Sequence, residues 1–263
     1  MVTGARFIAA ILAIISALVA VILTVYWVYS DFDTSYLGGL NTNHLLFNWH
    51  PVLMVSGMIL CAISSLMSFR ILPFEKLIKK YIHATLHTLT IACICLGLTA
   101  VFQSNNNPST STDDGYAANL YSLHSCLGLL AIIVYGANYF LGFANFLLFK
   151  TLNISQDIKA AFMPYHIFLG LCALFAAVFA VETGIMEVTS ELTVDGNSAC
   201  SYSVTSADLN PALHYNIIAG GCKVANGIGI MVVIAVFFAF IAIFEHPKFV
   251  KKEDNLNLLQ VGK

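Results

Sequence analysis

The chain has 263 residues, of which 59% are hydrophobic and 10% charged, with a mean hydropathy of +0.82. Soluble domains carry roughly 45–50% apolar and about 25% charged residues, so a water-soluble globular fold is excluded. Twelve Lys and Arg against fourteen Asp and Glu give a net charge of −2, and no run of like charge exceeds three residues, which leaves no electrostatic footprint for nucleic acid. At roughly 20 residues per crossing helix plus loops, a chain of this length has room for about six spans. The expectation is one integral membrane domain over 1–263, in contact with lipid.

In chain order the apolar stretches run from about Ala5 to Tyr29, Trp49 to Phe69, Ile82 to Phe102, Leu120 to Phe149, Phe162 to Met186 and Ile217 to Phe244. A segment in hydrocarbon must close its own backbone hydrogen bonds, and these stretches show no period-two alternation, so all six are predicted as helices. The fold class is all-α, a six-transmembrane-helix bundle. The first stretch follows Arg6 as a leader would, yet it is longer than a leader's apolar region and ends in Val25-Tyr26-Trp27-Val28-Tyr29. It is expected to stay as a span with an aromatic belt at its exit.

Basic residues set the orientation. Arg6, Arg70, Lys76, Lys79, Lys80, Lys150, Lys159 and the tail lysines Lys248, Lys251, Lys252 and Lys263 fall on one side, leaving Lys223 alone near the other. The positive-inside rule then predicts both termini in the cytoplasm, with 245–263 as a cytoplasmic tail. The opposite linkers, about 30–48, 103–119 and 187–216, are acidic and polar and face the outside or a vesicle lumen. Of the seven cysteines, only Cys200 and Cys222 lie in or beside those linkers, where a disulfide would persist. Either they bond, or Cys222 packs and Cys200 is free.

Eight histidines are present, and several lie at membrane depth, where ionisable residues are costly and mark function. His50 opens the second span and His124 lies one turn into the fourth, both from the outer side. His83 opens the third span and His166 the fifth, both from the inner side. Two facing imidazoles are too few for a closed zinc site but suit the two axial positions of a haem, which then passes electrons without an open site for oxygen. Structural or proton-relay histidines remain the alternative at this point. His87, one turn below His83, is expected as a supporting group; His44, His214 and His246 read as interfacial residues.

The runs around these histidines carry a resemblance. Asn48-Trp49-His50-Pro51-Val52-Leu53-Met54-Val55, Lys80-Tyr81-Ile82-His83-Ala84, Tyr121-Ser122-Leu123-His124-Ser125 and Met163-Pro164-Tyr165-His166 with Gly170 resemble, in order, the second to fifth helices of the cytochrome b561 family. The resemblance covers about residues 45–190. It implies helices two to five as a four-helix core around two heme b groups, with His50 and His124 binding one haem iron and His83 and His166 the other. It also implies electron transfer from cytoplasmic ascorbate to an outer or lumenal acceptor, a ferric chelate or monodehydroascorbate, in a homodimer of the plasma membrane or an endosomal or secretory vesicle membrane. Lys76, Lys80 and, where the family usually has Arg, Lys159 match its ascorbate-binding cations. Arg70 is a further candidate for that rim or for a haem propionate.

Two departures bear on the outer face. Cys126 stands where the family usually has Trp, and Gln103-Ser104-Asn105-Asn106-Asn107 lacks the His that many members carry. Asn105, Asn106, Asn107, Tyr116 and Asn119 would offer neutral partners to an acceptor, whereas Asp113, Asp114 and His214 would offer metal ligands. Ferric chelates are therefore expected as acceptors without a dedicated iron site. A divalent-metal transporter or channel is the competing class, but it should bring carboxylates into the spans, and only Glu182 lies well inside one.

Overall fold

A computed structural model of the chain describes residues 4–29, 39–40, 45–106, 118–148, 152–191, 193–194, 197–198, 200 and 220–244. Among them are six helices long and apolar enough to cross a membrane: α1 (Gly4–Tyr29), α2 (Leu46–Ile71), α3 (Lys76–Asn105), α4 (Leu123–Leu147), α5 (Gln156–Glu191) and α6 (Gly220–Ile243). The end at which α2, α4 and α6 begin is called upper here, and the other end lower. A two-residue ribbon, Thr193–Val194 paired with Asn197–Ser198, follows α5. Cys200 and Cys222 are disulfide-bonded, with Cα atoms 5.6 Å apart, which ties the segment after α5 to the first turn of α6.

Helices α3 and α5 begin at Lys76 and Gln156, several residues before the apolar stretches at Ile82 and Phe162. Hydropathy marks only what hydrocarbon must cover, while the helical hydrogen-bond ladder continues into the polar layer with the lysines on it. At the upper end, α4 starts at Leu123 rather than Leu120. Leu120 adopts φ 57°, a left-handed conformation outside the helix. Ser122 and Ser125 then form a capping box, each side chain accepting from the other's backbone N–H. That cap fixes His124 in the first turn.

Packing divides the helices into pairs. Helix α1 lies along α6, α2 against α3, and α4 along α5, while α3 and α4 barely touch. The α1–α6 seam is built from small residues at three- and four-residue spacing, Ala10, Ala13, Ala17 and Ala20 on one helix and Ala235, Ala239 and Ala242 on the other, all but fully buried. Lipid supplies no hydrophobic drive between helices, so close backbone approach through alanines is what holds such a seam. The α1–α6 pair backs α2. Pairs α2/α3 and α4/α5 meet in one apolar layer at mid-height, formed by Met58, Ala62, Ile94, Ala131, Tyr135, Ala173 and Ala177.

Helix α2 departs from α-geometry between Val55 and Cys61, where it is π-helical. The carbonyl of Gly57 in that stretch accepts from Thr90 Oγ1 of α3 at 3.1 Å. A Cβ on Gly57 would stand 2.7 Å from Cys93 Cβ, so only glycine admits this approach.

If the alanine seam holds α1 to α6, Ala17→Leu should lower stability by about 1–3 kcal/mol through overpacking. Thermal unfolding of the purified protein in detergent reads it. Ile15→Leu, on the exposed side of α1, should leave the midpoint unchanged.

Candidate functional site

The four histidines singled out from sequence form two pairs across the gap between α2/α3 and α4/α5. At the upper end the rings of His50 on α2 and His124 on α4 have centroids 6.0 Å apart and planes inclined at 85°. At the lower end His83 on α3 and His166 on α5 are 6.3 Å apart at 66°. A metal held between two imidazole nitrogens at about 2.0 Å each, with about 1.1 Å more to each ring centre, calls for roughly 6.2 Å between centroids. Both pairs match that span.

Each imidazole is anchored by the other helix of its own pair. His50 Nδ1 donates to the Gly97 carbonyl at 3.1 Å, His83 Nδ1 is shared between Ser65 Oγ at 2.9 Å and the Ser65 carbonyl at 3.1 Å, and His124 Nδ1 donates to the Ala180 carbonyl at 2.7 Å. A carbonyl only accepts, so these Nδ1 atoms carry the proton and Nε2 keeps its lone pair. His166 reaches the same state through Asn138. Its Nδ1 lies 2.9 Å from Asn138 Oδ1, while Asn138 Nδ2 donates to the His166 carbonyl at 3.1 Å. Fixing the outer nitrogen to free the inner one is how proteins orient metal-binding histidines.

The spacings show how the chain achieves this. His124 and Asn138 are fourteen residues apart on α4, His166 and Ala180 fourteen on α5, and His83 and Gly97 fourteen on α3, about 21 Å of helix in each case. Between His50 and Ser65 on α2 there are fifteen. The π-helical stretch Val55–Cys61 lies inside that interval and takes up the extra residue. Glycines make room for two of the rings: a Cβ on Gly184 would be 2.8 Å from His124, and one on Gly142 would be 2.7 Å from His166.

The surroundings differ between the ends. The upper pair lines a cavity of about 630 Å³, large enough for a molecule of cofactor size. At its rim Asn105 donates to Asn119 at 3.0 Å, Asn119 to Asn106 at 2.9 Å, and the Tyr121 hydroxyl to Glu187 at 3.2 Å. The lower pair is walled by Phe69 against His83 and by Phe146 and Phe162 against His166. Below it, Lys76 and Lys159 stand close enough to Lys80 to repel its charge. Lys80 Nζ donates to the Phe146 carbonyl at 3.4 Å, and Lys159 is buried despite its charge. Arg70 ends α2 at the same lower end, half-buried.

His87 packs edge-on against His83, with centroids 4.4 Å apart, and hydrogen-bonds the Tyr135 hydroxyl of α4. Glu182 lies apart from both pairs, against Gly229 of α6. Among the described residues, no group of three or more His, Cys, Asp or Glu is placed to hold a metal ion. Asn107, Asp113, Asp114, Tyr116, His44, His214, His246, Lys150 and the tail lysines lie outside the described residues. Sequence reasoning missed Ser65, Tyr135, Asn138, Gly142 and Gly184. Ser65, Tyr135 and Asn138 are polar groups inside apolar spans, a signal that was present but carried no pairing.

The donor set fits haem. Two facing imidazoles, each with Nε2 free, are the residues that would hold a haem, and a haem so held would supply a one-electron couple. Comparison with known proteins agrees. Residues 49–191 match the family described as eukaryotic cytochrome b561. The chain is 40% identical over 147 residues to the lysosomal membrane ascorbate-dependent ferrireductase CYB561A3 of Mus musculus, covering 54% of this chain and 56% of that protein. It is 34% identical to the human protein of the same name, over 71% and 73%. It is also 34% identical to transmembrane ascorbate ferrireductase 1 of Arabidopsis thaliana, over 65% and 67%. The matched stretch thus spans little more than half of the mouse relative. Residues 49–191 contain both histidine pairs and all their anchoring partners, and the chain belongs to the eukaryotic cytochrome b561 family.

Proposed function

We propose that this protein carries single electrons from cytoplasmic ascorbate, through two bis-histidine heme b groups, to an acceptor on the opposite side of the membrane. The observation that carries the reading is the pair of 6.0 and 6.3 Å imidazole spacings with every Nδ1 engaged. His50 and His124 hold the upper group, His83 and His166 the lower. Bis-imidazole haem iron supplies a one-electron ferric/ferrous couple and no site for oxygen. The relatives' names, ascorbate-dependent ferrireductase among them, support donor and acceptor class.

The lower face is read as cytoplasmic because the lysines gather there. Lys76, Lys80 and Lys159 receive the ascorbate monoanion: like charges held together raise the local concentration of an anion and favour its docked state. Ascorbate gives up one electron and one proton to become monodehydroascorbate, and the lysines keep the anion beside the lower pair while it does so. Arg70 contributes to the same cationic end. At the upper face the asparagine cluster and the Tyr121–Glu187 pair offer hydrogen bonds to either a ferric chelate or monodehydroascorbate. The relatives named lysosomal membrane ascorbate-dependent ferrireductase favour a vesicle membrane and ferric iron as substrate. A homodimer is the proposed assembly. The competing metal-transport reading gains nothing from the described residues, which gather no third ligand around either pair.

Single substitutions of the ligands test the pairing. His50→Leu and His124→Leu should each lose one haem and keep a second that ascorbate still reduces. His83→Leu and His166→Leu should each lose the other haem and with it reduction by ascorbate. Haem content and difference spectra of the purified variants read this; loss of the ascorbate-reducible haem from His50→Leu would sink the assignment.

For the lysines, the triple replacement of Lys76, Lys80 and Lys159 by Gln should raise the half-saturating ascorbate concentration and flatten its dependence on ionic strength, with haem content normal. An unchanged titration would return them to the role of topology signals.

A further inference from the structure

Two of the four proposed ligands rest their Nδ1–H on main-chain carbonyls, those of Gly97 and Ala180, and His83 Nδ1 lies 2.9 Å from Ser65 Oγ and 3.1 Å from the Ser65 carbonyl. His166 rests on a side-chain amide oxygen, Asn138 Oδ1, at 2.9 Å. Both ends of that amide are used on the same residue, since Nδ2 donates to the His166 carbonyl at 3.1 Å. The amide is buried in a membrane span, where a polar group is tolerated only with its partners in place. Room has been left for it: a Cβ on Gly170 would come 3.3 Å from Asn138 Nδ2, and the imidazole itself lies against Gly142.

We propose that Asn138 is a positioning residue that sets the reduction potential of the lower haem by accepting the Nδ1 proton of His166. The inference rests on the reading of His166 as a haem ligand. An acceptor on Nδ1–H makes the imidazole a stronger donor through Nε2. A stronger donor favours the more highly charged ferric iron, so the bond holds the potential down. The consequence falls on a step in which one electron leaves the lower ferrous iron and reduces the upper ferric iron, with no atom transferred. A lower potential on the lower group pushes that electron upward. The main-chain acceptors at Gly97 and Ala180 are beyond the reach of side-chain substitution, and at His83 the Ser65 carbonyl stands beside Ser65 Oγ. Asn138 is therefore a point at which the sequence can adjust the balance between the two groups.

Full-length, haem-loaded protein carrying Asn138→Leu or Asn138→Asp tests this by spectroelectrochemical titration, which resolves the two one-electron steps. Leucine keeps the volume and loses the acceptor. Its lower-haem reduction constant should rise about tenfold, equivalent to about 59 mV for one electron, with the upper step unmoved. Aspartate keeps an acceptor oxygen and loses the donor, so its lower step should not rise. Unchanged potentials in Asn138→Leu with both haems retained would overturn the proposal. So would an equal rise in both variants, which would assign the effect to packing, or loss of the lower haem from both, which would make Asn138 a holding group only. His166→Leu separates the two layers of the argument. Retention of both haems there overturns the ligand reading itself, whereas loss of one haem beside an unmoved Asn138→Leu potential overturns only the role of Asn138.

Discussion

An imidazole inside a membrane can offer one nitrogen to a metal only if the other has a partner, because an unpaired polar N–H in hydrocarbon is costly. Every helix from α2 to α5 meets that demand for its neighbour. Helix α2 contributes His50 and receives His83 at Ser65; α3 contributes His83 and receives His50 at Gly97. Helices α4 and α5 trade His124 and His166 in the same way, through Ala180 and Asn138. The register of each antiparallel pair is therefore fixed at two heights about 21 Å apart. A slip of one residue in either pair would turn a ligand away from the central gap. The π-helical stretch of α2 follows from the same demand, since it fits fifteen residues into the height that its partner spans with fourteen.

The reciprocal anchoring also explains where the bundle is loose. Partners within a pair are tied by hydrogen bonds at both heights and pack closely, whereas the two pairs touch mainly through the mid-height layer of Met58, Ile94, Ala131 and Tyr135. That division leaves the cavity above the layer, lined by His50 and His124. Polar links join α3 to α4 at His87 to Tyr135 and Thr88 to Tyr139 and, lower down, at Lys80 to the Phe146 carbonyl. They brace a boundary that apolar contact alone leaves thin. The two ends then diverge in chemistry, with converging lysines below and an amide cluster with one Tyr–Glu pair above. On the proposed function that polarity orders donor and acceptor.

Much of this was readable from the chain alone. Six spans, their helical form and the depth of His50, His83, His124 and His166 follow from hydropathy and position, and depth alone grouped the histidines as the structure does. The Cys200–Cys222 bond, open as one of two outcomes, is formed. What could not be read was the anchoring. Backbone carbonyls have no sequence signature, so Gly97 and Ala180 were invisible as acceptors. A π-helical stretch leaves no mark in Val55-Ser56-Gly57-Met58, and the glycines at 142 and 184 gain meaning only once the opposing imidazoles are placed. Ser65 and Asn138 are the exceptions. An amide fourteen residues below His124 on an apolar helix was a visible anomaly, but its partner lies on α5 and only the fold reveals it.

Haem stoichiometry and coordination in the purified chain test the central claim most directly. Two heme b per polypeptide, both low-spin when ferric and when ferrous, and neither binding carbon monoxide, is the result the proposed pairing predicts. A single haem per chain, or a ferrous haem that takes up carbon monoxide at an open position, would contradict it.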